Sequence, residues 1–279
     1  MDRGKSDQLL RYLPAVDQEG HKSSTKPSIC DLPKFYWIFK DIDFERWQST
    51  NSNGMGVLWL SGPAECSISD ASSRIVEIRK ETHSGAHQVV LYFFCSTARA
   101  KIPITILFVS TIILQLIHCL PQLKDKITAR FLCALVDAIL GEESTSDSAE
   151  LFSNAGSSVE VVVEKLLEAS SIDAYWGALR AVADIAREQE LSLIIDGLDK
   201  AERQEYKFIR ELDRFIEHLR ERPSTTRVLL TSRTQAEIKK ILGRLPGIEY
   251  DRERKGLMCH ILYSGSPYIK ATKDCRVSE

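Results

Sequence analysis

The sequence predicts an α/β fold in three layers, a mostly parallel five-stranded sheet with helices on both faces. Two observations predict it. The segments GVLWLSG, HQVVLYFFC, LSLIID and TTRVLLTSR are apolar nearly throughout rather than alternating, the pattern of strands buried on both faces. Stretches with helical apolar spacing separate them, so each strand is followed by a crossover back to the sheet. IEY at 248–250 is the candidate fifth strand.

Taken in order, residues 1–33 are polar and irregular apart from a short LLRYL patch, and SSTKPS near 23–28 looks like a linker. The domain expected from the remaining sequence runs from 34 to 251, with an irregular tail over 252–279. In KFYWIFKDIDFERW, Phe35, Ile38, Phe39, Ile42 and Trp47 fall close to one face of a single lead-in helix. NSNG is a turn before the first strand, and residues 70–82 read as helix. Residues 124–140 place Ile127, Phe131, Leu135 and Ile139 four apart, again a helix, and EESTSDSAE is a loop. Two helices follow near 159–169 and 174–188. The segment 203–222 is strongly amphipathic, with Ile209, Leu212, Phe215, Ile216 and Leu219 inward and interleaved charges outward. A short helix at 234–242 precedes the last strand.

Residues 102–123 carry no formal charge, and twenty-two such residues are long enough to cross a bilayer. Thr105, Ser110, Thr111, Gln115 and His118 interrupt the run, and Pro103 and Pro121 bracket it. Ile102, Ile106, Val109, Ile113, Leu116 and Leu120 recur at helical spacing, so the segment reads as a helix buried against the sheet, with no membrane as partner. Composition narrows the function further. Thirty-seven basic residues balance 39 acidic ones, for a net charge of −2, which leaves no electrostatic footprint for nucleic acid. Seven scattered cysteines without a CxxC pair indicate a reducing, cytoplasmic setting and neither a disulfide framework nor a zinc site. The charged N-terminus lacks the apolar core of a secretory signal.

In a parallel sheet, ligands sit beyond the carboxyl ends of the strands. After the first strand stands GPAECSIS, residues 62–69. The phosphate-binding-loop template is GxxxxGK[ST], in which backbone amides cradle phosphates, lysine reaches the β and γ phosphates, and the hydroxyl ligates Mg²⁺. Gly62 and Ser69 fit at the right spacing. Ser67 stands where the second glycine belongs, and Ile68 where the lysine belongs. After the third strand come Asp196, Gly197, Leu198 and Asp199; an acid closing an apolar strand is what a Walker B element needs to serve Mg²⁺. Asp199 equally suits a helix N-cap. After the fourth strand come Thr231, Ser232 and Arg233, an arginine suited either to a γ phosphate or to a surface acid.

These three elements in order, with the tryptophan-containing lead-in YWIFKDIDFERW, the strand ending YFFC and the helix ending QLIHCLPQL, resemble the NACHT class of signalling NTPases. The likeness runs from about Phe35 to Tyr250 and is closest to fungal members whose N-terminal region is like that of nephrocystin. It implies a P-loop NTPase core acting as a molecular switch, with ATP or GTP and Mg²⁺ as cofactors if any nucleotide is bound. Carried over by position, Gly62, Pro63, Ala64, Glu65, Cys66, Ser67 and Ile68 form the phosphate loop. Ser69 and Asp196 serve Mg²⁺, Asp199 positions the attacking water as the catalytic residue, and Arg233 senses the γ phosphate.

Three positions depart from the pattern: Ile68 for lysine, Ser67 for glycine, and Lys200 where the family usually has a second acid. Removing the charge that pairs a buried phosphate costs about 2–5 kcal/mol, roughly 30- to several-thousand-fold in affinity. Lys200 is a substitute cation in principle, although it belongs to a different strand end. The expected function is a degenerate NACHT-type nucleotide-binding module with weak or no hydrolysis, acting through contacts with other proteins. The alternative is a working ATP- or GTP-binding switch that hydrolyses slowly.

Overall fold

The computed structural model describes residues 13–14, 18, 38–49, 56–63, 68–82, 88–96, 102–142, 170–201, 206–221 and 225–249. The loop 142–150 beyond its first residue, the helix expected near 159–169 and the tail 252–279 therefore lie outside the described residues.

Five strands form one wholly parallel sheet in the order β2-β3-β4-β1-β5: β1 Gly56–Gly62, β2 Gln88–Phe94, β3 Glu190–Asp196, β4 Arg227–Arg233 and β5 Gly247–Glu249. The first four are buried over six of seven residues, which is why their sequences lack alternation. Helix α1 Ile42–Gln48 precedes β1, and between the strands run α2 Ile68–Thr82, α3 Ile104–Cys119, α4 Lys124–Glu142, α5 Ile172–Ala186, α6 Lys207–Arg220 and α7 Ala236–Leu242.

The sheet separates two apolar clusters. On one face Val57, Trp59, Leu91, Phe93, Leu193 and Leu230 pack against α3 to α7. On the other, Leu58, Leu60, Tyr92, Phe94, Ile194 and Leu229 pack against α1 and α2. Odd and even positions along each strand thus feed opposite layers, as the two-residue period of a strand requires.

The uncharged run is the helix α3, with Pro103 at its N-cap and ten buried residues, ending before a 3-10 turn at Pro121–Leu123. Among the described residues no single helix is long and apolar enough to cross a membrane; the run reaches that length only across a 109° bend into α4. Ile127, Phe131 and Leu135 are fully buried on α4 as their spacing implies.

The lead-in differs from expectation. Asp41 stops a 3-10 turn at Ile38–Lys40 and caps α1, its carboxylate accepting from the Asp43 amide at 2.9 Å. That break rotates the following turn, so Ile42 is 57% exposed and Phe44 takes the buried place. Two side chains from the N-terminal segment also reach the sheet: Leu13 packs in the first cluster, and the Gln18 Oε1 accepts from the Phe94 amide at 2.6 Å.

Candidate functional site

Because every strand runs the same way, Gly62, Asp196 and Arg233 leave the sheet at one edge. Register brings Gly62 beside Arg233 and Phe94 beside Asp196. The Thr234 amide donates to the Gly62 carbonyl at 3.1 Å, tying together the exits of β1 and β4.

Asp196 is the most constrained residue here. It is 2% exposed, and its Oδ1 accepts from the Ser72 hydroxyl at 2.9 Å and the Thr231 hydroxyl at 2.6 Å. Thr231 in turn accepts from the Gly197 amide at 3.1 Å, so its donating proton is left for the carboxylate. Gly197 has φ +75°, a left-handed conformation that side chains rarely adopt, and it turns the chain into a 3-10 segment at Leu198–Lys200. That turn folds Asp199 and Lys200 back over the sheet edge.

Asp199 is not a helix cap. Its carboxylate accepts from the Arg233 amide at 2.9 Å and pairs with the Arg233 guanidinium, Nε to Oδ2, at 3.3 Å. The acid is 7% exposed and the arginine 58%, so solvent screens the ion pair to about 1 kcal/mol or less. Lys200 places Nζ 3.5 Å from the Ser69 hydroxyl on the first turn of α2.

Between these groups lies a cavity of about 250 Å³ whose wall includes Gly62, Ile68, Ser69, Asp199, Lys200 and Arg233. Its size is close to the lower end, about 300 Å³, of small-molecule sites. Ile68, at the position the template reserves for lysine, begins α2; it lines the cavity and packs half-buried against the second apolar cluster. Pro63 lines the same cavity, whereas Ala64, Glu65, Cys66 and Ser67 lie outside the described residues.

Of the two residues expected to serve Mg²⁺, one lines this cavity and the other does not. Ser69 lines the wall beside an ammonium group, whereas Asp196 is not among the lining residues and its Oδ1 accepts from two hydroxyls. Among the described residues no group of three or more His, Cys, Asp or Glu side chains is arranged to hold a metal ion. With Lys200 Nζ 3.5 Å from the Ser69 hydroxyl, a metal ligated by that hydroxyl would have to displace the ammonium, so this arrangement does not fit the metal.

Cys95, just past β2, donates its amide to the Asp196 carbonyl at 2.9 Å. Burial pushes its thiol well above the ordinary 9.0, Asp196 adds to the rise, and Lys200 opposes it. The thiol is therefore neutral and a poor nucleophile. Sequence reasoning missed Ser72 and the donor role of Thr231. The signal was present in part, since Ser72 lies one helical turn beyond Ile68, on the side of α2 that faces the sheet edge.

The molecule is thus an α/β protein with a wholly parallel sheet and a polar cavity at the carboxyl edge, flanked by the start of a helix. Residues 34–156 match the family described as Nephrocystin 3, N-terminal. The match spans less than half of the chain, covers α1 through α4 and the Gly62–Ser69 segment, and is consistent with a NACHT-like N-terminal region. It stops before β3, so Asp196, Asp199, Lys200 and Arg233 fall outside it. No curated protein matches the chain.

Proposed function

We propose that this chain is a NACHT-type signalling module whose nucleotide site has lost most of its hydrolytic equipment, and that it acts in the cytoplasm through contacts with other proteins. The observation that carries this reading is Ile68 on the cavity wall, an alkyl group half-buried against the apolar cluster at the position reserved for the phosphate-binding lysine. Two further residues support it. Asp199 and Arg233, expected to position water and to sense a γ phosphate, are engaged with each other. Phosphoryl transfer depends almost wholly on positioned charge, so a site without its lysine and with a poor metal seat has little to offer the transition state.

The test is a titration of the purified chain with fluorescent ATP and GTP analogues, alongside a phosphate-release assay. Measurable binding, weaker than micromolar, and no turnover above buffer are expected. Ser67→Gly with Ile68→Lys should raise the affinity by about tenfold or more, in line with the charge restored to a phosphate site. Micromolar, Mg²⁺-dependent binding by the unaltered chain, abolished by Asp196→Asn, would overturn the reading in favour of a working switch.

A further inference from the structure

We propose that Lys200 is the phosphate-binding cation of this cavity and stands where a Mg²⁺ would otherwise stand, so that the site takes a phosphoanhydride group without a divalent metal. The inference rests on reading the cavity as a nucleotide site and identifies the charge that site uses.

Three features of the cavity carry it. Lys200 lies on the cavity wall with Nζ 3.5 Å from the Ser69 hydroxyl, the group expected to ligate a metal. An ammonium has three donors, so one directed at Ser69 leaves others for phosphate oxygens. Its direction is set by the backbone. At Gly197, with φ +75°, an added Cβ would meet Lys200 Cδ at 3.2 Å and Nζ at 3.4 Å, so the lysine stem lies directly against the bare glycine. Finally, Arg233, which also lines the cavity, is engaged with Asp199. Asp70, also on the wall, makes an interaction of its own. The lysine thus lines the same cavity as that ion pair, beside the first turn of α2, whose amides favour negative charge.

A lysine from the exit of β3 therefore does what the loop after β1 no longer does. The consequence has an unusual sign. In a metal-dependent site Mg²⁺ raises nucleotide affinity; here Mg²⁺ binds the free ligand in solution, competes with the ammonium, and lowers it.

The experiment uses the full chain and two probes, inorganic pyrophosphate and ATP, each titrated calorimetrically in EDTA and again in excess Mg²⁺. Binding in EDTA that is equal to or tighter than binding in Mg²⁺ is the expected result. Lys200→Met should weaken it by about tenfold or more, with Lys200→Arg retaining most of it. Thermal unfolding of each variant checks that the fold is kept, and the side chain's partial exposure predicts little change. Capture of pyrophosphate itself supports recognition of the phosphoanhydride alone; capture of ATP only, still lost in Lys200→Met, supports it with the nucleoside contributing. Binding that requires Mg²⁺, or that ignores Lys200→Met, overturns the role of Lys200 and leaves the nucleotide site standing. No binding of either probe under any condition overturns both.

Discussion

At the scale of single residues, the site is organised around one buried carboxylate rather than around its cavity. Asp196 loses water on folding, and a buried charge is tolerated only when it is hydrogen-bonded. Ser72 and Thr231 supply those bonds from α2 and β4, so Asp196 staples three elements together whether or not it ever meets a ligand. Thr231→Val keeps the shape and removes the donor. It should lower stability by about 1.5–3 kcal/mol, the range for hydrogen bonds to charged groups, read as a fall in the urea midpoint at unchanged slope. An unchanged midpoint would mean that Asp196 finds another donor.

At the scale of elements, β2 is an edge strand, and an edge exposes unpaired backbone groups that invite pairing with another chain. Two glutamines cover it. Gln115 on α3 accepts from the Tyr92 amide and donates to the Tyr92 carbonyl, both at 2.9 Å, and Gln18 takes the Phe94 amide. Gln115, one of the polar residues that distinguish α3 from a membrane span, thus imitates a neighbouring strand. Gln115→Ala should cost about 1–3 kcal/mol and raise the tendency to associate, visible as concentration-dependent light scattering during mild heating. A variant that is as stable and as monodisperse as the parent would show that this cap is dispensable.

At the scale of the whole molecule, two clusters on opposite faces of one sheet hold the fold, the larger built around Trp176 with Phe108, Phe208 and Phe215. Burial there also sets the response to alkali. The Cys95 thiol is pushed well above its ordinary 9.0, desolvation also raises the Cys119 thiol, and the Tyr175 phenol is pushed up to about 12 from 10.0. Each group keeps its proton longer when folded than when unfolded. Stability is then full below the unfolded values and falls as pH rises through and beyond them. The urea midpoint should accordingly drop between about pH 8 and pH 10, and Cys95→Val should flatten the drop. The window stops there because burial lowers the Arg79 guanidinium to about 10, an effect of opposite sign. A midpoint that holds steady in the parent would contradict this account of the buried thiol.

Much of this protein was written locally. Strands buried on both faces need runs without alternation, and helices against a sheet need an apolar stripe, so a mostly parallel sheet and α3, α4 and α6 were legible from residue type and spacing. So were the positions to inspect, since parallel strands must all end at one edge. The lead-in was misjudged because Asp41, a cap, breaks the helix and resets its phase, turning Ile42 outward and Phe44 inward. Tertiary structure alone decided the wiring of the site. The partnership of Asp196 with Thr231 depends on which strand lies beside β3, and that of Asp199 with Arg233 on where β4 ends. The approach of Lys200 to Ser69 depends on a left-handed turn bringing together residues 131 apart in the chain. Sequence spacing carries no record of such distances, because they arise only when crossovers place separate strands side by side.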